Sequence, residues 1–204
     1  MTNLKFYKDA SEYLTGKDKK LAKIIKNIDL LPLEIHNDYF RELTESIVSQ
    51  QLSIKAADTI LSRFYKLVQG PISPKKVIKL KDEKIRIAGI SYQKISYIKD
   101  LAKKIEDEEI EFDKFNKLTD EKIIEELIAV RGIGRWTAEM FLIFGLGRPD
   151  VFSFGDLGLR RAIEKLYKIE KLSEIEAIRI SEKWKPYRSV ASRYLWKSLE
   201  NEQS

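Results

Sequence analysis

The sequence predicts an all-α fold, and three observations carry that prediction. Apolar residues recur at helical spacing along most of the chain, capping residues stand where those stretches begin, and nothing alternates long enough to make a strand. Strand-like fragments such as DVFSF (150–154) are too short and isolated to build a sheet. With 204 residues there is room for one or two compact domains and a genuine core.

In chain order, helices are expected at about 18–28 and 38–50. Ser53 looks like an N-cap, followed by Ala57, Ile60, Leu61, Phe64, Leu67 and Val68 on one stripe, with Gly70-Pro71 as the stop. A helix at about 93–106 comes next. Thr119 caps another, with Asp120 and Glu121 in the first turn, where the helix dipole favours acids. Its buried stripe is expected to be Ile123, Ile124, Leu127 and Ile128. The stretch from about Arg135 to Phe144 is apolar nearly all round, which predicts a central position, and Gly145 ends it. Helices at about 157–168, 173–183 and 188–199 complete the set. No internal repeat, low-complexity segment or long linker interrupts the pattern.

Composition narrows the chemistry. Thirty-eight Lys and Arg against 32 Asp and Glu give a net charge of +6, which favours an anionic partner such as nucleic acid or simply a lysine-rich surface. Acidic strings such as IEDEEIEFD (105–113) mean that any basic footprint must be local. The absence of cysteine excludes disulfides, thiol nucleophiles, Cys-ligated zinc and any iron–sulfur cluster. The single histidine, His36, excludes a multi-histidine metal site and is expected in a structural or surface role. No apolar run reaches the ~20 residues that span a bilayer, and MTNLKFYKDASEYL does not read as a signal peptide, so a soluble cytoplasmic protein is expected.

The most informative stretch runs from Leu127 to Ala138, where one helix ends, Gly132-Ile133-Gly134 turns tightly, and another helix starts at once. The glycines permit positive φ and close backbone approach, Ile133 can plug the groove between the helices, and free amides at the second helix start suit a phosphate oxygen. On its own, such a corner is a weak signal and is more often a plain helix–helix turn. Asp156, in Phe154-Gly-Asp-Leu-Gly-Leu159, reads locally as an N-cap for a helix beginning at Leu157.

Four blocks then carry a resemblance: FRELTESIVSQQLSIKAA (40–57), GISYQKISYIKDLA (89–102), VRGIGRWTAEMFLIF (130–144) with DVFSFGDLGLRRAI (150–163), and WKPYRSVASRYLWK (184–197). Together they resemble the helix-hairpin-helix DNA glycosylase superfamily, in particular its alkyladenine branch. The resemblance implies two helical subdomains with a DNA- and base-binding cleft between them. Residues 38–146 would form a helical barrel carrying the hairpin, and 1–37 with 147–204 a second subdomain carrying the catalytic aspartate.

The same resemblance implies roles for residues. Asp156 matches the catalytic carboxylate, which stabilises positive charge on the deoxyribose as the base departs. Gly132, Ile133, Gly134, Arg135 and Trp136 form the DNA-gripping hairpin, and the carbonyls of Ile128, Val130 and Ile133 would hold a monovalent cation, sodium or potassium. Trp136, Met140 and Trp196 line the base pocket, where electron-poor alkylated purines stack on electron-rich rings. Gln51, with Leu52 beside it, is the wedge that fills the space left by the flipped nucleotide, although a plain turn capped by Ser53 is equally compatible with those residues. Arg135, Arg160 and Lys185 are candidate phosphate contacts.

Trp136 stands where bifunctional members carry a nucleophilic lysine, which implies hydrolysis without lyase activity. Three positions depart from the family pattern: Arg131 replaces a usual proline, Met140 a frequent aromatic, and Gly155 a frequent second acid beside Asp156, with Asp150 the competing carboxylate nearby. The expected function is a monofunctional glycosylase removing alkylated purines from double-stranded DNA, acting as a monomer. Another lesion (uracil, hypoxanthine or an oxidised purine) and a non-catalytic damage-binding protein remain open at this point.

Overall fold

A computed structural model describes residues 3–200. Twelve α-helices occupy those residues, with no strand among them: α1 (Asn3–Lys17), α2 (Lys19–Ile25), α3 (Tyr39–Ser49), α4 (Ile54–Val68), α5 (Pro74–Lys79), α6 (Asp82–Ile87), α7 (Tyr92–Glu106), α8 (Asp120–Ile128), α9 (Arg135–Met140), α10 (Leu157–Tyr167), α11 (Glu174–Ser181) and α12 (Arg188–Glu200). Side-chain caps open most of the long helices. Asp38, Ser53, Ser91, Thr119 and Asp156 each accept an amide of the first turn, and Ser173 with Glu176 closes a reciprocal capping box.

The chain divides into two units, one of residues 36–141 and one of the residues up to 35 with those from 142 onward. The sequence places these boundaries at 37/38 and 146/147. In the structure the second lies at the start of a π-helical turn, Phe141–Gly145, that continues α9.

In the 36–141 unit, α3 packs on α4 and on α7, α5 and α6 pack on α7, and α8 packs on α9. Leu43, Ile47, Phe64, Val77, Ile85, Ile95, Ile98, Leu101, Ile123 and Leu127 are buried, with Phe64, Ile123 and Leu127 on the helical stripes that their spacing predicts. The other unit has its own core, built from Leu14 of α1, Leu21 of α2, Leu159 and Ile163 of α10, Ala177 of α11, Leu195 of α12 and the fully buried Trp184.

Three expectations need correction. Arg135–Phe144 is not buried all round, because Trp136 and Phe144 are both exposed. Ile128, expected in the core, lies exposed at the last turn of α8. The helices at 3–17, 74–79 and 82–87 were not expected; the latter two have six residues each, too few to show a repeated apolar stripe.

Candidate active site

In the 36–141 unit, the hairpin between α8 and α9 is a four-residue turn. The Ile133 amide donates to the Val130 carbonyl at 3.1 Å and Gly132 has φ +83°, the pattern of a type II turn with Arg131 and Gly132 at its centre. Glycine is required at 132 twice over, since a Cβ there would also collide with the Tyr97 ring. At Gly134, by contrast, φ is negative and an added Cβ would meet nothing within 4 Å, so the chain's own packing does not demand glycine. Ile133 is buried and plugs the corner as expected, and Gly134 N-caps α9 without a side-chain bond to its first amides.

Neither hairpin arginine extends freely. Arg135 forks onto Glu121 with two bonds of 2.8 Å and reaches Glu139 at 3.0 Å. The Glu121 hydrogen bonds push its guanidinium pKa further up. Arg131 pairs with Asp100 at 3.3 Å. Arg135, expected as a phosphate contact, is thus held by two carboxylates while its side chain stays more than half exposed. Trp136 and Met140 sit one turn apart on α9, with Trp136 47% exposed and Met140 half-buried.

Gln51 and Leu52 occupy a second type II turn. The Leu52 amide donates to Ser49 at 3.1 Å, Gln50 has φ −50° and ψ 129°, and Gln51 has φ +58°. A glutamine in that left-handed region is strained, and both Gln51 and Leu52 are exposed. The Gln50 side-chain amide donates to the Gly132 carbonyl at 2.8 Å, tying this turn to the hairpin. Lys94 of α7 donates to the carbonyls of Val48 and Gln50, each at 2.7 Å, closing the end of α3; burial lowers its pKa. Sequence reasoning missed Lys94 and Tyr97 because polar residues on a helix face look like solvated surface.

In the other unit, Asp156 is the N-cap of α10. Its Oδ1 accepts the Leu159 amide at 2.6 Å and the Trp196 indole N–H at 2.8 Å. Trp196, expected as a pocket wall, holds the carboxylate in this structure, and its ring lies 5.7 Å from that of Phe144 with planes 31° apart. Gly158 makes room for the pair: a Cβ there would sit 3.3 Å from Asp156 Oδ1 and 3.4 Å from Trp196 Cδ1. Neither Phe144 nor Gly158 was singled out in the sequence, although a glycine in the first turn of a helix was a signal.

The loop leading to Asp156 is stitched down. Asp150 binds the Arg188 guanidinium at 2.8 and 3.0 Å, the Val151 amide donates to Ser189 Oγ at 2.9 Å, and the Ser189 amide donates to the Pro149 carbonyl at 3.0 Å. Asp150 is thereby a latch on α12. Farther along, the Arg160 guanidinium lies 5.4 Å over the Phe154 ring, and Lys185 pairs with Glu182 at 2.8 Å. His36 is exposed. Among the described residues no cluster of His, Asp and Glu suits a metal ion. Three neutral carbonyls (Ile128, Val130 and Ile133) suit only a weakly held monovalent cation, with Val130 keeping a lone pair beyond the one Ile133 uses. No helix among the described residues is long and apolar enough to cross a membrane.

The fold is shared with known proteins. A structure of a DNA-3-methyladenine glycosidase from Bacillus halodurans superposes with a TM-score of 0.88 at 37% identity, over 95% of this chain and 90% of that one. A Schizosaccharomyces pombe 3-methyladenine DNA glycosylase, Mag1, in complex with abasic DNA superposes at 0.81 with 32% identity, over 94% of this chain and 97% of that one. YfjP of Bacillus subtilis is 32% identical over 83% of this chain, which spans 62% of YfjP's length. Residues 44–186 match the model of the HhH-GPD superfamily of base excision DNA repair proteins, and the chain belongs to that superfamily.

Proposed function

We propose that this chain is a monofunctional DNA glycosylase that hydrolyses the N-glycosidic bond of alkylated purines, of the 3-methyladenine and 7-methylguanine type, in duplex DNA. The observation that carries the proposal is Asp156, a carboxylate held by the Leu159 amide and the Trp196 indole in a chain that resembles 3-methyladenine glycosylases over nearly its whole length. As the C1′–N bond breaks, the base leaves with the electron pair and the deoxyribose becomes cationic. A fixed carboxylate lowers the energy of that state, and water then adds to C1′ and gives up a proton. Trp136 offers no nucleophile, so no Schiff base forms and the abasic strand stays intact.

The rest of the site binds and opens the duplex. Hairpin amides between Gly132 and Trp136, apart from that of Ile133, which closes the turn, grip one phosphate, and the space beside Gly134 leaves that phosphate room to approach. A monovalent cation on the carbonyls of Ile128, Val130 and Ile133 would add positive charge there. Gln51 and Leu52 fill the gap left by the extruded nucleotide, while Trp136, Met140 and Trp196 contribute stacking surface for an electron-poor base. The protein acts as a monomer on damaged DNA.

The test is chromatography of free bases after incubation with dimethyl-sulfate-treated duplex DNA, with borohydride trapping in parallel. Release of 3-methyladenine or 7-methylguanine, an unbroken abasic strand and no covalent adduct are expected. An adduct would overturn the monofunctional mechanism. DNA binding without base release would move the substrate to another lesion, and then the protein to a non-catalytic binder.

A further inference from the structure

The type II turn of the hairpin has an unusual occupant. Position two of such a turn, here Arg131, favours proline, whose ring presets φ and whose missing N–H the turn does not need. Arg131 presets nothing and brings an N–H that the turn leaves unused. Asp100 of α7 takes it: Oδ2 accepts the Arg131 amide at 2.9 Å, and Oδ1 lies 3.3 Å from Arg131 Nε. The Asp100 side chain is only 19% exposed, whereas that of Arg131 is 63% exposed, so the carboxylate is the fixed partner. One turn earlier on α7, the Tyr97 ring occupies the space where a side chain at 132 would stand. The turn is therefore braced by α7 at both of its central residues.

We infer that Asp100 is a positioning residue for the phosphate grip: by accepting the Arg131 amide it fixes the turn that aims the following amides, the task a proline ring performs covalently. The inference rests on the hairpin being the DNA contact. It requires an acceptor at 100 when residue 131 has an N–H, and none when residue 131 is proline. Freeing the arginine from its ion pair is a separate effect, because D100A and D100N release that charge equally while only asparagine keeps an acceptor oxygen.

Affinity for a duplex carrying an abasic-site analogue, measured below the melting temperature of the least stable variant, separates these effects. D100A should bind roughly five- to tenfold more weakly than D100N, the amount one lost hydrogen bond gives. The base-release rate at saturating enzyme should be the same in both. With R131P also present, D100A and D100N should bind alike. Equal binding by D100A and D100N with Arg131 in place would overturn the inference while leaving the glycosylase intact. So would a difference that persists with R131P. Failure of the wild-type protein to bind this DNA would instead defeat the functional proposal on which the inference stands.

Discussion

Gln51 carries a measurable strain that its proposed role as a wedge explains. Its φ of +58° places a residue with a Cβ in the left-handed region, which costs about 1–2 kcal/mol. Gln51→Gly relieves that strain and loosens the unfolded chain, which offsets about 0.5–1 kcal/mol. The side chain is exposed, so little packing is lost. The net effect is a stability gain of about 0–1.5 kcal/mol, a rise of up to roughly 6 °C in melting temperature for a chain of this size. The same change empties the wedge, and extrusion of a paired nucleotide costs a few kcal/mol. Single-turnover base release from a matched duplex should therefore fall at least about tenfold, and release from a mismatched or single-stranded substrate much less. Unchanged release from the matched duplex would refute the wedge. A drop in melting temperature would refute the strain.

Asp18 is buried and accepts from the Tyr167 hydroxyl, the Trp184 indole and the amides of Lys20 and Leu21. Burial pushes its pKa up, but the four hydrogen bonds outweigh this and hold it below the ordinary carboxylate value. With the folded pKa depressed, its stabilisation is fully present above the unfolded value near 3.9 and is lost as pH falls through the folded one. Urea midpoints should show Asp18→Asn less stable than wild type by about 1–3 kcal/mol at pH 7, with the gap closing below about pH 4. Arg135→Ala should leave the dependence of DNA affinity on salt unchanged, because Glu121 and Glu139 already neutralise that charge; a slope reduced by about one would return Arg135 to the phosphate contacts. Gly158→Ala should slow base release with little change in melting temperature, because the added methyl group presses on Asp156 and Trp196; a wild-type rate would show that their spacing is unimportant.

Elements that announce themselves locally were legible. Ser53 and Thr119 cap where the sequence places them, Ala57, Phe64 and Val68 of the α4 stripe and Ile123, Ile124 and Leu127 of the α8 stripe are buried, and Gly132-Ile133-Gly134 forms the tight corner. The same holds for Asp156 as a cap, because a cap is decided within four residues. What remained hidden depends on residues far apart in the chain. Trp196 reaches Asp156 across 40 positions, Asp150 and Arg188 meet across 38, and Tyr167 reaches Asp18 across 149. No periodicity encodes such pairs. A turn at Gln50-Gln51 is legible between two helices, but it lacks the glycine that marks type II, so only the backbone shows its type. The pairing of Arg135 with Glu121 is hidden for the same reason, because the two stand on different helices.

In the proposed mechanism the Asp156 charge drives base release while its cap geometry holds the start of α10. Asn caps a helix as well as Asp does and still accepts from Leu159 and Trp196, so Asp156→Asn removes the charge and keeps the structure. The decisive measurement is the single-turnover rate of 3-methyladenine release by the two proteins at saturating enzyme. A loss of roughly 10²–10³-fold with DNA affinity and melting temperature preserved is the predicted result. A mutant rate close to that of wild type would place the chemistry on another residue.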